Sequence, residues 1–214
     1  MEALFNILTE NKNEDNAYYM SKYMKFKFPY LGIKTPERKA LTKCILVEKS
    51  KSDIDWNFVF DCFNKDEREF LYVGIDYLSR VKDKFIKDDI EHLEALALIK
   101  SWWDSIDSIA PLVGYMVMKH PELKEEKIAL WIESDNIWLK RLSIIFQLKF
   151  KMDTDLKFLE CAIKKNAFTG EFFVDKAIGW QLRELSKTNK EWVRQFMKEN
   201  QLSKLSIREG SKYI

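Results

Sequence analysis

Apolar side chains recur at intervals of three and four residues along almost the whole chain, the spacing of one buried face of an α-helix. In the stretch from 137 to 150, Ile137, Leu139, Leu142, Ile145, Phe146, Leu148 and Phe150 form one broad stripe, and Asp135 or Asn136 can cap its start. Thr35-Pro36-Glu37 reads as another helix opening, with Thr35 as N-cap, Pro36 at the first helical position and Glu37 near the positive end of the dipole. Thr169-Gly170-Glu171 reads as a third. The pattern predicts helices near 2–10, 14–27, 36–48, 55–63, 67–80, 87–97, 102–118, 122–133, 137–150, 154–165, 171–186, 190–199 and 204–212.

The helical segments repeat. EREFLYVGIDYL from Glu67, SWWDSIDSIAPLV from Ser101, DNIWLKRLSIIFQL from Asp135 and GEFFVDKAIGWQL from Gly170 begin 34, 34 and 35 positions apart. Each opens polar, continues with an aromatic or aromatic-aliphatic pair, and runs on as an amphipathic helix, with room for a second helix before the next copy. A two-helix unit of this size cannot bury its apolar face alone and must stack on its neighbours. The expected fold is therefore all-α, a superhelical solenoid of HEAT-like two-helix repeats forming a single domain over 1–214. Tetratricopeptide repeats share the period, but their small-residue and proline signature is missing.

Composition agrees with this reading and narrows it. The 214 residues include only 6 Gly and 4 Pro, too few turn formers for an all-β protein. No apolar run approaches a transmembrane length, and no basic stretch followed by an apolar run opens the chain. Cys44, Cys62 and Cys161 are scattered and odd in number, which reads as buried thiols in a reducing cytosol, not as a disulfide framework. His92 and His120 have no metal-like partners and read as surface or helix-end residues; Trp56, Trp131 and Trp192 read as packing. The net charge is only +2, but it is unevenly spread: residues 1–136 carry 20 Lys/Arg against 25 Asp/Glu, and residues 137–214 carry 16 against 9. A basic half can attract phosphates, although solvated helix faces would give the same count.

The repeat register brings particular residues together. Aligning Phe70, Trp103, Trp138 and Phe173 places Asp107, Arg141 and Lys176 side by side on successive helices. Trp103 and Asp107 are four apart and share a helix face. A carboxylate there could stabilise a developing cation or activate water, and Arg141 could grip a phosphate. Lys176 could serve as a Schiff-base nucleophile, but its slot beside that of Arg141 suits a phosphate better. Two plainer readings stand beside these. A helical Trp is more often core than ligand platform, and repeat proteins of this type use Asp and Arg in ladders that tie neighbouring repeats together.

The segments YMKFKFPYLGIKTPERK (23–39), KSWWDSIDSI (100–109), SDNIWLKRLSIIFQLKFK (134–151) and KAIGWQLRELSKTN (176–189) carry a further signal. Over nearly its whole length the chain resembles the bacterial DNA alkylation-repair glycosylases of the AlkD family, whose fold is a superhelix of HEAT-like repeats. The resemblance implies removal of cationic alkylpurines such as 7-methylguanine and 3-methyladenine from duplex DNA, without metal or organic cofactor. It implies Asp107 as the catalytic carboxylate, Trp103 and Trp180 as the sugar-contacting indoles, and Arg141 as a phosphate ligand. It also implies DNA contacts for Tyr23, Lys149 and Arg183, and for Lys34, Thr35 and Lys39 at a helix start. Lys34 stands where the family pattern has Gln, which leaves a side chain still suited to phosphate. Cleavage of the glycosidic bond releases a neutral base and builds positive charge on the deoxyribose; Asp107 would oppose that charge and orient water, with the indole faces alongside. The lesion would stay stacked instead of being extruded, as most base-excising enzymes require. The resulting expectation is a monomeric, cytoplasmic, monofunctional glycosylase acting on alkylated double-stranded DNA, with no membrane partner. A DNA-binding relative without excision and a protein-interaction scaffold are its rivals.

Overall fold

The computed structural model describes residues 2–214, and those residues form thirteen α-helices and no strand. The helices are α1 (Glu2–Glu10), α2 (Glu14–Tyr23), α3 (Thr35–Lys49), α4 (Trp56–Asn64), α5 (Arg68–Val81), α6 (Asp89–Leu98), α7 (Trp103–Lys119), α8 (Ala129–Ile132), α9 (Ile137–Ile145), α10 (Leu156–Asn166), α11 (Phe172–Leu185), α12 (Lys190–Glu199) and α13 (Lys204–Gly210). Polar residues placed just before apolar runs start many of them. Asn13, Asp55, Asn136, Asp155, Asn189 and Ser203 each accept a hydrogen bond from a backbone N–H in the first turn of α2, α4, α9, α10, α12 and α13 respectively. Asn136, not Asp135, caps α9. Helix α3 begins one residue earlier than expected: Lys34 occupies its N-cap, without a side-chain cap bond, and Thr35 is already helical.

Three predicted helices are shorter or differently wound. The stretch expected at 14–27 leaves the helix after Tyr23, because Lys25 and Phe26 take left-handed backbone (φ 56° and 53°) and the Phe26 N–H turns back to the Ser21 carbonyl. Two successive non-glycine residues in that region cost about 1–2 kcal/mol each. The stretch expected at 137–150 ends at Ile145 and continues as tight turns. The stretch at 122–133 is a π turn (Lys124–Ile128) followed by α8.

The chain divides into two compact units, one reaching to Lys100 and one running from Ser101. In the first, α1 packs on α3, α3 on α5, and α4 on both α5 and α6. In the second, α7, α9, α11 and α13 pack one on the next in chain order, with α8 and α10 against α9, and α10 and α12 against α11. Each unit thus stacks alternate helices in sequence, which is the α-solenoid arrangement the repeat demanded. Close approach needs small residues at defined points. A Cβ on Gly179 of α11 would lie 2.6 Å from the Glu209 Cβ and 3.0 Å from the Ser206 carbonyl, so α13 can sit against α11 only where the side chain is absent.

Of the cysteines, Cys62 is buried, but Cys44 and Cys161 are exposed, since their positions on α3 and α10 fall outside the apolar stripe. His92 is not a plain surface residue: it packs edge-on against the Trp56 ring at 4.4 Å and also meets Phe60. His120 caps the end of α7, Trp131 is buried, Trp56 donates its indole N–H to Asp89, and Trp192 stacks on Phe196. Among the described residues no helix is long and apolar enough to cross a membrane, and no three His, Cys, Asp or Glu gather as metal ligands would.

The loop before α3 is held from below by one buried acid. Glu69 on α5 is fully buried, and its two carboxylate oxygens accept the backbone N–H groups of Leu31 (3.0 Å), Gly32 (2.8 Å) and Ile33 (3.1 Å). Gly32 has φ +87°, and a Cβ there would stand 1.9 Å from the Asn13 carbonyl, so this turn accepts only glycine. Burial pushes the Glu69 carboxyl above its ordinary value while the three N–H groups pull it down. Glu69→Gln keeps one acceptor oxygen but turns an NH2 group toward an N–H. We expect it to cost about 2 kcal/mol, the scale of a buried donor left unsatisfied, read as a lowered urea midpoint with unchanged slope.

Candidate functional site

The second unit brings Asp107 and Arg141 into direct contact. Asp107 lies on α7, four residues after Trp103, and Arg141 lies on α9 one repeat later. The guanidinium forks onto the carboxylate: Nε donates to Oδ1 at 2.8 Å and Nη2 to Oδ2 at 2.9 Å. Nη1 donates to the Phe173 carbonyl of α11 at 2.6 Å. One side chain therefore ties α7, α9 and α11 together. Only 3% of the Arg141 side chain reaches solvent, but 19% of the Asp107 side chain does. The acid is thus the open end of the pair.

Burial pushes the Asp107 carboxyl above its ordinary value of 3.8; Arg141 draws it back, and the neighbouring Asp104 adds to the rise. Each Asp107 oxygen has a lone pair beyond the one that meets Arg141, and these can accept from water. The α7 backbone is also loosened here. Pro111, inside α7, has no N–H to give to the Asp107 carbonyl four residues before it.

Trp180 lies half-buried on α11, with the Arg141 guanidinium carbon 6.0 Å from its ring centroid. Trp103, the first residue of α7, is half-buried on the face that carries Asp107. Its neighbour Trp102 joins Trp138 and Phe173 in a three-ring cluster with centroids 4.9–5.6 Å apart. Phe173 is also the residue whose carbonyl Arg141 grips.

The other basic residues are held by acids. Lys176 does not join Arg141; its ammonium meets Glu209 of α13 at 2.9 Å. Arg183 donates to the same carboxylate at 3.2 Å, Lys212 at 2.8 Å, and Arg208 stands 3.9 Å away. Glu209 is buried at the centre of these cations, which hold its carboxyl down at about 2. Lys149 is exposed and 3.8 Å from Glu184. Tyr23, Lys34, Thr35 and Lys39 all lie in the first unit, and all are exposed. There Asp76 of α5 takes Arg38 at 3.1 Å and Lys39 at 3.5 Å.

Sequence reasoning missed Glu69, Asp76 and Glu209. Glu209 had a signal: it falls one repeat beyond Asp175 and Lys176, the slot in which stacked helices exchange charges. Glu69 had none, because its partners are backbone groups.

A family model described as "DNA alkylation repair enzyme" matches residues 6–214, and the chain belongs to that family. Among solved structures it is similar to a "Predicted DNA alkylation repair enzyme from Enterococcus faecalis", at 38% identity and a TM-score of 0.91 over 95% of this chain and 96% of that one. No curated protein matches the sequence.

Glu209 makes a pH test of the cluster. Its carboxyl sits below the ordinary 4.5 when folded, so its contribution to stability is present above 4.5 and is lost as pH falls toward 2. In Glu209→Gln the cations lose their common anion at every pH. We expect that variant to melt lower at neutral pH and to lose less stability than the native chain between pH 4.5 and 2, measured by thermal unfolding at stepped pH.

Proposed function

We propose that the chain is a monofunctional DNA glycosylase of the AlkD type, hydrolysing the N-glycosidic bond of cationic alkylated purines such as 7-methylguanine and 3-methyladenine in duplex DNA. The observation that carries this reading is a partly exposed acid, Asp107, locked in orientation by a buried guanidinium, with the half-buried indole of Trp103 on its own helix and that of Trp180 on α11, in a chain of the DNA alkylation repair family. An alkylated purine is already a cationic leaving group. As its bond to the sugar lengthens, positive charge moves to the deoxyribose, and a fixed carboxylate with no freedom to reorient stabilises it most where that charge appears. Asp107 also accepts a proton-bearing water through the lone pairs Arg141 leaves unused, orienting it toward the anomeric carbon. Trp103 and Trp180 offer ring faces to the same cationic sugar. The reaction leaves an abasic site and needs no electron transfer.

In this reading the phosphates are held elsewhere. Arg141, with 3% of its side chain at solvent, is committed to Asp107 and the Phe173 carbonyl; it serves the acid, not a phosphate. Lys149, Lys176 and Arg183 meet the backbone by exchanging carboxylate partners for phosphate. Lys34, Thr35 and Lys39, at the positive end of the α3 dipole, and exposed Tyr23 supply contacts from the first unit. The enzyme works as a cytoplasmic monomer forming one domain over 1–214.

A second reading rests on one observation: the three-helix grip of Arg141 is also what a purely structural rung would show. In that case the chain binds DNA without excising bases. Asp107→Asn decides between them. Against duplex containing 7-methylguanine we expect release of free base to fall by about a hundredfold or more, the effect of removing one such electrostatic group, with duplex affinity kept. Base release from the variant at the native rate, or none from the native chain, gives the second reading.

The pH profile is a separate expectation. The ionised form of Asp107 is the active one, and its carboxyl is raised, so base release should fall with decreasing pH along a limb that begins above the ordinary carboxylate value. Single-turnover rates at stepped pH measure it.

A further inference from the structure

Between 16 and 36 the chain has no Asp or Glu, although a third of all its residues are charged. The same stretch holds four lysines and six aromatic residues. This is an isolated cationic segment inside a half of the chain whose balance is acidic.

The fold displays that segment instead of burying it. Tyr18 and Tyr19 on α2 are 55% and 67% exposed, and Phe26 in the turn after it is 60% exposed. Their rings touch in series: Tyr18 meets Tyr19 at 5.5 Å and Phe26 at 5.8 Å between centroids. Lys22 lies over the Tyr18 ring at 6.0 Å, and Lys25 is exposed beside Phe26.

The turn is built for this display. Met24 is buried, and Phe28 lies half-buried against the Arg68 guanidinium, 4.0 Å from its ring. Phe26, between them, is turned outward by the two left-handed residues Lys25 and Phe26. The Ser21 hydroxyl, donating to the Phe28 carbonyl at 2.8 Å, closes the turn. Strained backbone that exposes an apolar ring is stable only because its surroundings hold it, and it has a use when something flat covers the ring.

We propose that Tyr18, Tyr19 and Phe26, with Lys22 and Lys25, form a docking surface for unpaired nucleotides of DNA. Lysines in a segment without acids suit phosphates, and exposed aromatic rings suit bases. Intact duplex cannot use those faces, because its bases are already stacked on one another. An unpaired nucleotide can stack on Phe26, with Tyr18 at its edge, while its phosphates meet Lys22 and Lys25. The surface is sequence-tolerant, since every base has a flat face. It rests on the proposed function only in that the ligand is DNA; it needs neither Asp107 nor excision.

The test uses the full chain and fluorescence anisotropy with two labelled probes, a short oligothymidylate and an undamaged blunt duplex. The variants are Phe26→Ala, Phe26→Trp and Lys22→Gln/Lys25→Gln, each checked for an unchanged melting curve. Phe26→Ala should weaken oligothymidylate binding about tenfold, the loss of one stacked base, and leave duplex binding within about twofold. Phe26→Trp should restore it, and the lysine pair should weaken it and flatten its salt dependence. Equal oligothymidylate affinity for native chain and Phe26→Ala overturns the proposal. So does parallel loss on both probes. Asp107→Asn, measured for excision on the 7-methylguanine duplex and for binding on the oligothymidylate, separates the two readings: failure of excision with stacking kept spares this surface, and the reverse spares the glycosylase.

Discussion

The second unit is organised around the fork between Arg141 and Asp107. A guanidinium with 3% of its side chain exposed needs its N–H groups occupied, and the Asp107 carboxylate and Phe173 carbonyl occupy them from helices on either side. Removing one partner of such a pair leaves a buried charge, commonly a loss of about 3–5 kcal/mol. That penalty is what holds the acid in one orientation. A rung between repeats and a catalytic carboxylate are therefore compatible roles. The rung supplies the fixed geometry that electrostatic stabilisation requires, since a group that must rotate to meet developing charge gives much of its benefit back. Burial raises the carboxyl and the guanidinium lowers it, so the pair also sets the pH at which the acid carries charge.

The same device recurs with different partners. Asp76 holds Arg38 and Lys39, and Glu209 holds Lys176, Arg183 and Lys212. Cations that could meet phosphate are thus already neutralised by carboxylates. On the glycosylase reading, DNA exchanges an internal anion for an external one at these positions. Such an exchange releases fewer counterions than binding to bare lysines would.

Much of the fold was legible in the sequence because both of its signals are local and repeated. The three- and four-residue spacing gave the helices, and the period near 35 gave their stacking. Where the expected helices overran, the cause was not in the apolar pattern. Nothing in YMKFKF marks two consecutive left-handed residues, because neither is glycine. The juxtaposition of Asp107 with Arg141 followed from the repeat register alone. The pairing of Lys176 with Glu209, one helix further on, did not. Glu69 was illegible for a different reason: its ligands are three backbone N–H groups of a loop, and backbone groups leave no residue type to read.

Membership of the DNA alkylation repair family and the chemistry of the site are separate links in the functional argument. A shared fold carries a scaffold; the reaction is carried by particular atoms. Here the relevant group is the Asp107 side chain, 19% of which reaches solvent against 3% of its guanidinium partner. Had the exposures been reversed, with the acid sealed and the guanidinium open, the same residues in the same family would describe a phosphate clamp with a structural anchor. The asymmetry of exposure within one ion pair is what turns a rung of the solenoid into a candidate for catalysis.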